Sequence, residues 1–256
     1  MPRLFITDID GTILNKGERT VNRTVLDFFS ELSQSGIFVA VASGRSYDSI
    51  SRVFEGEIPD YLYVISNDGA LCSLGGKHLF GKPLSQSSCV HFFDEAKRHG
   101  SGFFCAADTS YLYGDEMRFS YAPEFAMSSK VTTSVYGIRE NIYKIGIDTS
   151  VCKDSILCPS DVRCAYSDGI LSEYISLYAD KGTALEALSQ RLFCNREDIF
   201  AVGDGANDTC MFNKAKYSAL IDKVAKGEAP DCKKCMRFGN FGDVAEYYRN
   251  NFLNQR

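Results

Sequence analysis

The sequence of 256 residues is long enough to bury a substantial core in one large domain or two smaller ones without disulfide support. Its formal net charge of -5, with no dense run of Lys or Arg, argues against a nucleic-acid partner. No apolar run approaches the roughly 20 residues of a membrane helix, and the first residues lack the apolar stretch of a signal peptide, so we expect a cytoplasmic protein that does not enter a membrane.

Ten cysteines are scattered along the chain, and we expect them to be reduced because nothing indicates secretion. Cys232-Lys233-Lys234-Cys235 is the only CxxC sequence. A structural zinc site would need a second pair at matching spacing, which is not evident. Free thiols are therefore the favoured interpretation, and no segment indicates an obligatory protein partner.

The first third of the chain alternates apolar runs with helical patterns. It predicts a strand from Leu4 to the Asp8/Asp10 pair, a helix from Val21 to Leu32, a strand at 37–42, a helix from Tyr47 to Phe54, a strand at 61–65 and a hairpin of 70–74 with 77–80. Strands that alternate with helices predict right-handed crossovers and a mainly parallel sheet.

From about residue 82 the pattern changes to one helix followed by short strand-like pieces. The helix is predicted around 90–97, the strands at 102–106, 111–113, 142–147, 162–166 and 171–177, and a second helix around 151–157. The aromatic side chains of this region, including Phe103, Phe104, Tyr111 and Tyr113, are expected in its core and not at a ligand site.

At Asp180 the first pattern returns, with a helix capped by that residue, strands at 199–202 and 217–221, and a helix at 244–252. The sequence thus predicts a discontinuous α/β core of residues 1–81 and 180–256. A smaller α+β domain, residues 82–179, is inserted into it.

Asp8 and Asp10 are the first candidates for chemistry. At strand spacing the two carboxylates point to the same side, and Gly11-Thr12 lets the chain turn away at the strand's end. Oxygen ligands of this kind suit Mg²⁺, which needs only one or two carboxylates plus substrate phosphate. Alone, an Asp-x-Asp pair is more often a solvated strand end.

Three further polar groups follow predicted strand ends or begin a predicted helix. They are Ser43-Gly44, Lys181, and the set Asp204, Asn207 and Asp208. Each has an ordinary explanation, as a strand-to-helix turn, an exposed lysine or a helix cap. The carboxyl ends of parallel strands share one edge of a sheet, however, so we expect these groups to converge there.

Convergence would give each group a function. Lys181 in a helix's first turn opposes the helix dipole, which suggests an anion nearby, and Ser43-Gly44 offers a hydroxyl and N–H groups suited to phosphate oxygens. Asp204 and Asp208 together with Asp8 and Asp10 would repel one another unless a divalent cation were bound.

As a set, Asp8-Ile9-Asp10-Gly11-Thr12, Ser43-Gly44-Arg45, Lys181-Gly182 and Gly203-Asp204-Gly205-Ala206-Asn207-Asp208 resemble the four motifs of the haloacid dehalogenase (HAD) superfamily of phosphohydrolases. With Asn67-Asp68-Gly69-Ala70 and an insert between motifs two and three, the chain resembles the Cof-type subfamily with a C2-type cap. The resemblance implies a Rossmann-like core and a Mg²⁺-dependent phosphatase acting on small phosphorylated metabolites such as sugar phosphates.

The resemblance also implies residue roles. Asp8 would attack phosphorus and Asp10 would act as general acid and base. Mg²⁺ would be held by Asp8, the Asp10 carbonyl and Asp204, with Asp208 either a ligand or a neighbour of the ligands. Ser43, the Gly44 N–H and Lys181 would bind phosphoryl oxygens, and Asn67 and Asn207 would reach phosphate or substrate.

Other functions share parts of this pattern. A dehalogenase needs neither Asp10 nor Asp204, whereas a phosphomutase would keep every motif, and a non-catalytic phosphate-binding module would normally have lost one. The leaving group would be recognised by the inserted domain, whose candidate polar residues include Arg118, Tyr121, Lys130 and Lys144.

Overall fold

The computed structural model describes residues 1–107, 110–113, 130–132, 134–150, 152, 156–222, 232 and 234–254. Its strands are β1 (Leu4–Asp8), β2 (Phe38–Ala42), β3 (Leu62–Ser66), β4 (Leu71–Leu74), β5 (Lys77–Gly81), β6 (Phe103–Ala106), β7 (Ser110–Tyr113), β8 (Lys130–Val131), β9 (Lys144–Asp148), β10 (Val162–Ser167), β11 (Leu171–Ser176), β12 (Ile199–Gly203), β13 (Tyr217–Ile221) and β14 (Met236–Phe238). Its α-helices are α1 (Arg23–Gln34), α2 (Tyr47–Val53), α3 (Gln86–His99), α4 (Lys181–Arg191), α5 (Thr209–Phe212) and α6 (Phe241–Tyr248).

Eight strands form one sheet in the order β14-β13-β12-β1-β2-β3-β4-β5. All neighbours from β14 to β3 are parallel, and only the β3–β4 and β4–β5 pairs are antiparallel. In the register, Asp8 lies beside Ala42 of β2, and Thr7 lies beside Val202 of β12. The carboxyl ends of these three strands are therefore level, which brings the loops that follow them to one edge of the sheet.

Side chains alternate between the two faces of this sheet. Phe5 packs with α1, α2 and α6 on one face, whereas Leu4 and Ile6 pack with α4 and α5 on the other. Both faces are covered, as the continuous apolar strands predict. The expected α/β architecture with a mainly parallel sheet is confirmed.

A second sheet of six strands has the order β10-β11-β9-β6-β7-β8 and is antiparallel except between β7 and β8. Helix α3 packs on it through Phe92 and Phe93, which share a core cluster with Phe103, Ile145 and other side chains of the sheet. Phe103 and Phe104 are buried, as predicted. The limits of 82–179 as a separate domain stay a prediction.

Some sequence expectations fail or lie outside the described part. Strands β8 and β14, of two and three residues, carry too short a pattern to be recognised. The helix expected around 151–157 lies largely outside the described residues, as do Arg118, Tyr121 and the side chain of Tyr113. Cys232 and Cys235 form a disulfide instead of remaining free thiols, in a turn where the Cys235 N–H donates to the Cys232 carbonyl.

Within the described residues, no helix is both long and apolar enough to cross a membrane.

An aromatic cluster holds β1 in place behind the candidate site. The buried Phe5 ring lies 5.3 to 6.5 Å, centroid to centroid, from five other rings of the same face. They belong to Phe28, Phe29, Phe200, Phe241 and Tyr248.

Phe5→Ala should lower the free energy of unfolding by about 3–5 kcal/mol, because it removes a fully buried ring and leaves a cavity. Phe193→Ala is the matched control, since that ring is 85% exposed, and should change stability by no more than about 0.5 kcal/mol. Urea unfolding measures both, and equal effects of the two substitutions would contradict the central position of Phe5.

Candidate active site

Four segments meet at the carboxyl edge of the larger sheet. Asp8 ends β1, the 43–45 loop (Ser43, Gly44 and Arg45) follows β2, a short turn at Asn67–Gly69 follows β3, and a loop containing Asp204 to Asp208 follows β12. Helix α4 begins beside them with Lys181. The convergence expected from the sequence is thus present in the fold.

Lys181 links two of these segments. Its buried ammonium donates to Asp8 Oδ1 at 2.6 Å and to Asp208 Oδ1 at 2.8 Å. Its position at the start of α4 is fixed by a capping box, in which the Asp180 carboxylate accepts from the Thr183 N–H at 2.7 Å. The anions that the sequence suggested near this lysine are therefore, in part, the protein's own carboxylates.

Asp208 organises the loop that carries Asp204. Its second oxygen, Oδ2, accepts from the N–H groups of Asp204 and Gly205, both at 3.0 Å. The Asp204 carboxylate lies against Gly11, where a Cβ atom would come within 2.0 Å of Asp204 Oδ2. Gly11 also has a φ of +88°, so a residue with a side chain is disfavoured there on both grounds.

Asp8, Asp204 and Asp208 each offer a carboxylate oxygen within 4.8 Å of the others. Burial raises the pKa of Asp8 to about 8 against the opposing effect of Lys181, and the charges of Asp208 and Asp204 raise it further. Three carboxylates near one ammonium leave an excess of negative charge, which a divalent cation would offset. The all-oxygen donor set fits Mg²⁺.

Asp10 lies outside this cluster. Its half-exposed carboxylate pairs with both sides of the Arg45 guanidinium, accepting from Nε at 2.8 Å and from Nη2 at 2.7 Å. Ser43 Oγ also donates to Asp10 Oδ2, at 3.4 Å. In this arrangement the Asp10 side chain faces Arg45 and Ser43 and not the three clustered carboxylates, and its carbonyl as a metal ligand stays a prediction.

Arg45 is a site residue that the sequence reasoning missed. Arg45 directly follows Ser43-Gly44 in the second motif. The sequence alone does not show that its guanidinium contacts the Asp10 carboxylate. A planar bidentate pair fixes the orientation of a carboxylate more firmly than a single contact would.

One backbone N–H of the 43–45 loop, that of Gly44, is available for an anion. Ser43 is buried, and its Oγ accepts from the Arg45 N–H at 3.1 Å. The Gly44 N–H makes no hydrogen bond within the described part of the chain. A Cβ atom on Gly44 would lie 3.1 Å from Asp68 Oδ1, so a larger residue would crowd that carboxylate.

The two predicted asparagines differ in placement. Asn207 is exposed beside the acidic cluster. Asn67 is only 1% exposed, and neither polar atom of its side chain has a hydrogen-bond partner among the described residues. Contact of Asn67 with a substrate would therefore require this side chain to move.

Lys144, expected among polar loop residues that recognise the leaving group, lies instead in β9 and is buried. Its ammonium donates to Asp68, Glu173 and the Gly44 carbonyl. The prediction for Lys144 is wrong because the sequence does not show that a lysine within a strand extends its side chain to the neighbouring sheet. Lys130, in β8, is exposed.

Comparison with known proteins shows the family. The sequence model of the haloacid dehalogenase-like hydrolase family matches residues 5–227 of the chain. Phosphoglycolate phosphatase 1 of Saccharolobus solfataricus is 26% identical over 258 residues, covering 98% of this chain and 90% of that protein. The HMP-PP phosphatase of Yersinia enterocolitica is 22% identical over 276 residues, with coverages of 98% and 95%.

Solved structures show the same fold over almost the whole chain. A protein of Thermotoga maritima matches with a TM-score of 0.80 at 22% identity, covering 98% of this chain and 97% of that one. A haloacid dehalogenase-like hydrolase of Bacillus subtilis matches with a TM-score of 0.75 at 19% identity, with coverages of 98% and 100%.

The family match covers most of the chain, and the solved structures share its fold. The chain belongs to the haloacid dehalogenase-like hydrolases, which confirms the resemblance carried by its four motifs.

Binding of Mg²⁺ at the acidic cluster should raise the melting temperature of the protein. At about a hundred times the dissociation constant the gain is about 2.7 kcal/mol, or roughly 5–10 °C for a chain of this length. Asp204→Asn should lose most of this shift, because it removes a carboxylate of the cluster. Asp27→Asn is the control, because that carboxylate lies on the exposed face of α1, and this variant should keep the full shift in melting temperature. A full shift in the Asp204 variant would place the cation elsewhere.

Proposed function

We propose that the protein is a Mg²⁺-dependent phosphatase that hydrolyses small phosphorylated metabolites through an aspartyl-phosphate intermediate. The observation that carries the proposal is the position of Asp8, which is 5% exposed, bonded to Lys181 and surrounded by two further carboxylates at the end of a central strand. A carboxylate so placed suits attack on phosphorus when charge around it is neutralised.

In the first half-reaction an Asp8 carboxylate oxygen attacks phosphorus. The bond to the leaving oxygen breaks, and that oxygen takes a proton from Asp10. Asp8 Oδ1 accepts from Lys181, and Oδ2 accepts more weakly from Thr12 Oγ1 at 3.4 Å, so Oδ2 is the freer oxygen for attack. Bound Mg²⁺, held by Asp8, Asp204 and the Asp10 carbonyl, would neutralise charge on the phosphoryl oxygens.

In the second half-reaction Asp10 removes a proton from water, which attacks phosphorus and releases inorganic phosphate and free Asp8. The Arg45 guanidinium holds both Asp10 oxygens in the structure, so each proton transfer requires one of these oxygens to leave the guanidinium, while the other contact keeps the carboxylate in place. Asp208 accepts from Lys181 and from two N–H groups of its own loop, so we assign it the support of Asp204 and Lys181 beside the metal ligands.

Phosphoryl oxygens would be bound by Lys181, the Ser43 hydroxyl and the Gly44 N–H. Asn207 is exposed beside Asp208 and would contact phosphate or substrate. Asn67 would take part only after a change of its buried side chain.

The substrate class is a small phosphorylated metabolite, such as a sugar phosphate. Two relatives named as phosphatases of phosphoglycolate and of HMP-PP support this class. The sequence also has no dense run of Lys or Arg of the kind that would favour a nucleic acid as substrate. Residues 82–179 would recognise the leaving group as a cap domain. The cytoplasmic location stays a prediction.

Asp8→Asn should lower the rate of phosphate release by roughly four orders of magnitude or more, because it removes the nucleophile at nearly constant volume. Release of inorganic phosphate from an activated aryl phosphate in Mg²⁺ is the measurement, and it also separates hydrolysis from phosphomutase activity, which isomerises substrate without net release. Asp27→Asn is again the control. Sustained turnover by the Asp8 variant, with deamidation excluded by mass spectrometry, would refute the covalent mechanism.

Asp10→Asn should separate the two half-reactions. An activated aryl leaving group needs little protonation, so the first half-reaction should be less affected, whereas attack by water still lacks its base. Stopped-flow measurement should therefore show a burst of about one aryl alcohol per enzyme, followed by slow turnover. Slow release without a burst, even with several aryl phosphates, would argue against Asp10 as the base for water.

A further inference from the structure

Lys144 connects the second sheet to the active-site edge of the first. It is 1% exposed, and its Nζ donates to the Gly44 carbonyl at 2.7 Å, to Asp68 Oδ2 at 2.7 Å and to Glu173 Oε2 at 2.8 Å. An ammonium has three donors, and here each has an acceptor. Two of these acceptors belong to the segments after β2 and β3, and only Glu173 belongs to the second sheet.

These contacts complete a set that fixes the 43–45 loop. The Asp68 N–H donates to the Ser43 carbonyl at 3.0 Å, and the Asn67 N–H donates to the Arg45 carbonyl at 2.8 Å. Lys144 occupies the Gly44 carbonyl between them. All three consecutive carbonyls of the loop, those of Ser43, Gly44 and Arg45, thus accept a hydrogen bond. The Gly44 N–H shares a peptide unit with the Ser43 carbonyl and points away from it, so the contact of that carbonyl with the Asp68 N–H directs the Gly44 N–H away from the Asn67–Gly69 turn.

The turn that supplies these donors depends on its partners. Asn67 and Asp68 have φ values of +51° and +53°, which residues with a side chain adopt at a cost. Burial opposes ionisation of Asp68, but the Lys144 charge and hydrogen bond outweigh it and lower the pKa of that carboxyl. Lys144 therefore stabilises both the charge and the strained backbone of this turn.

We propose that Lys144 is a positioning residue through which the second sheet sets the conformation of the phosphate-binding loop. By holding the Asp68 carboxylate, it stabilises the turn whose Asp68 N–H bonds the Ser43 carbonyl, and that carbonyl shares a peptide unit with the Gly44 N–H. By holding the Gly44 carbonyl, it fixes the next peptide unit, whose Arg45 N–H donates to Ser43 Oγ. Together these contacts keep the Gly44 N–H directed at the phosphoryl group. The inference rests on the proposed phosphatase function for the identity of the anion. It differs from recognition of the leaving group, because all three donors of Lys144 are occupied by protein acceptors.

The variant that tests the proposal is Lys144→Met combined with Glu173→Gln. This pair removes one positive and one negative charge and so leaves the local net charge unchanged. Glu173→Gln alone is the matched control, since it keeps the contacts of Lys144 with Gly44 and Asp68. Two quantities are compared in Mg²⁺: the inhibition constant of inorganic phosphate, and hydrogen exchange of the peptide spanning residues 43–47, which includes the Arg45 N–H.

The double variant should bind inorganic phosphate about tenfold more weakly than the wild-type protein, whose local net charge it matches, as expected for loss of one hydrogen bond to a charged group, whereas the control should bind phosphate no more weakly than the wild type. The kcat/KM of the double variant should fall by the same factor for phosphate esters with different leaving groups, and exchange in residues 43–47 should be faster. Phosphate affinity and exchange equal to those of the control would overturn the proposal. A loss that depends on the leaving group would instead make Lys144 a specificity residue and would also overturn it.

Failure of the proposed function is separable from failure of this inference. If the wild-type protein neither binds nor releases phosphate, the phosphatase proposal fails, while the exchange comparison still decides whether Lys144 orders the loop. If urea unfolding shows that the double variant does not fold, Asp68→Asn replaces it, because that variant keeps Lys144 but weakens its anchor. It should weaken phosphate binding by about threefold, and an unchanged inhibition constant would reject the proposal.

Discussion

The ion pair between buried Lys181 and the carboxylates of Asp8 and Asp208 is the interaction on which the site depends. Taking these charges out of water is costly, and removal of one partner leaves the others uncompensated, which typically costs more than the pair itself contributes. The ion pairs of Lys181 therefore serve to position the charged groups of the site and add little to the free energy of unfolding. They hold a carboxylate ready at the end of β1 and still leave an excess of negative charge for a cation.

The larger sheet makes that arrangement possible. Parallel pairing of β1 with β2 and β12 brings three loops level, and the aromatic cluster around Phe5 keeps the central strand from shifting. Loops alone could not hold carboxylate oxygens within hydrogen-bonding distance of one ammonium. Close approaches at Gly11 and Gly44 add to this precision, since a Cβ atom at either position would collide with or crowd a carboxylate.

Much of this was predictable because the signals are local. The apolar run that stops at Asp8 and Asp10 directly indicates the end of a strand. The capping pattern at Asp180 directly indicates the start of a helix. Contacts between distant segments were not predictable in the same way. Arg45 returning to Asp10, and Lys144 crossing from the second sheet to Gly44, depend on the assembled fold. Burial of the Asn67 side chain likewise follows from packing, which no spacing of residues records.

Identification of the phosphorylated residue tests the central claim most directly. An acyl phosphate is reduced by borohydride, so rapid quenching of the enzyme during turnover, followed by reduction, converts a phosphorylated aspartate to homoserine. Peptide mass spectrometry then locates the modified position. Homoserine at residue 8, formed only when substrate is present, is the result expected if Asp8 is the nucleophile. Homoserine at another position, or none when a burst shows that an intermediate accumulates, would contradict the account.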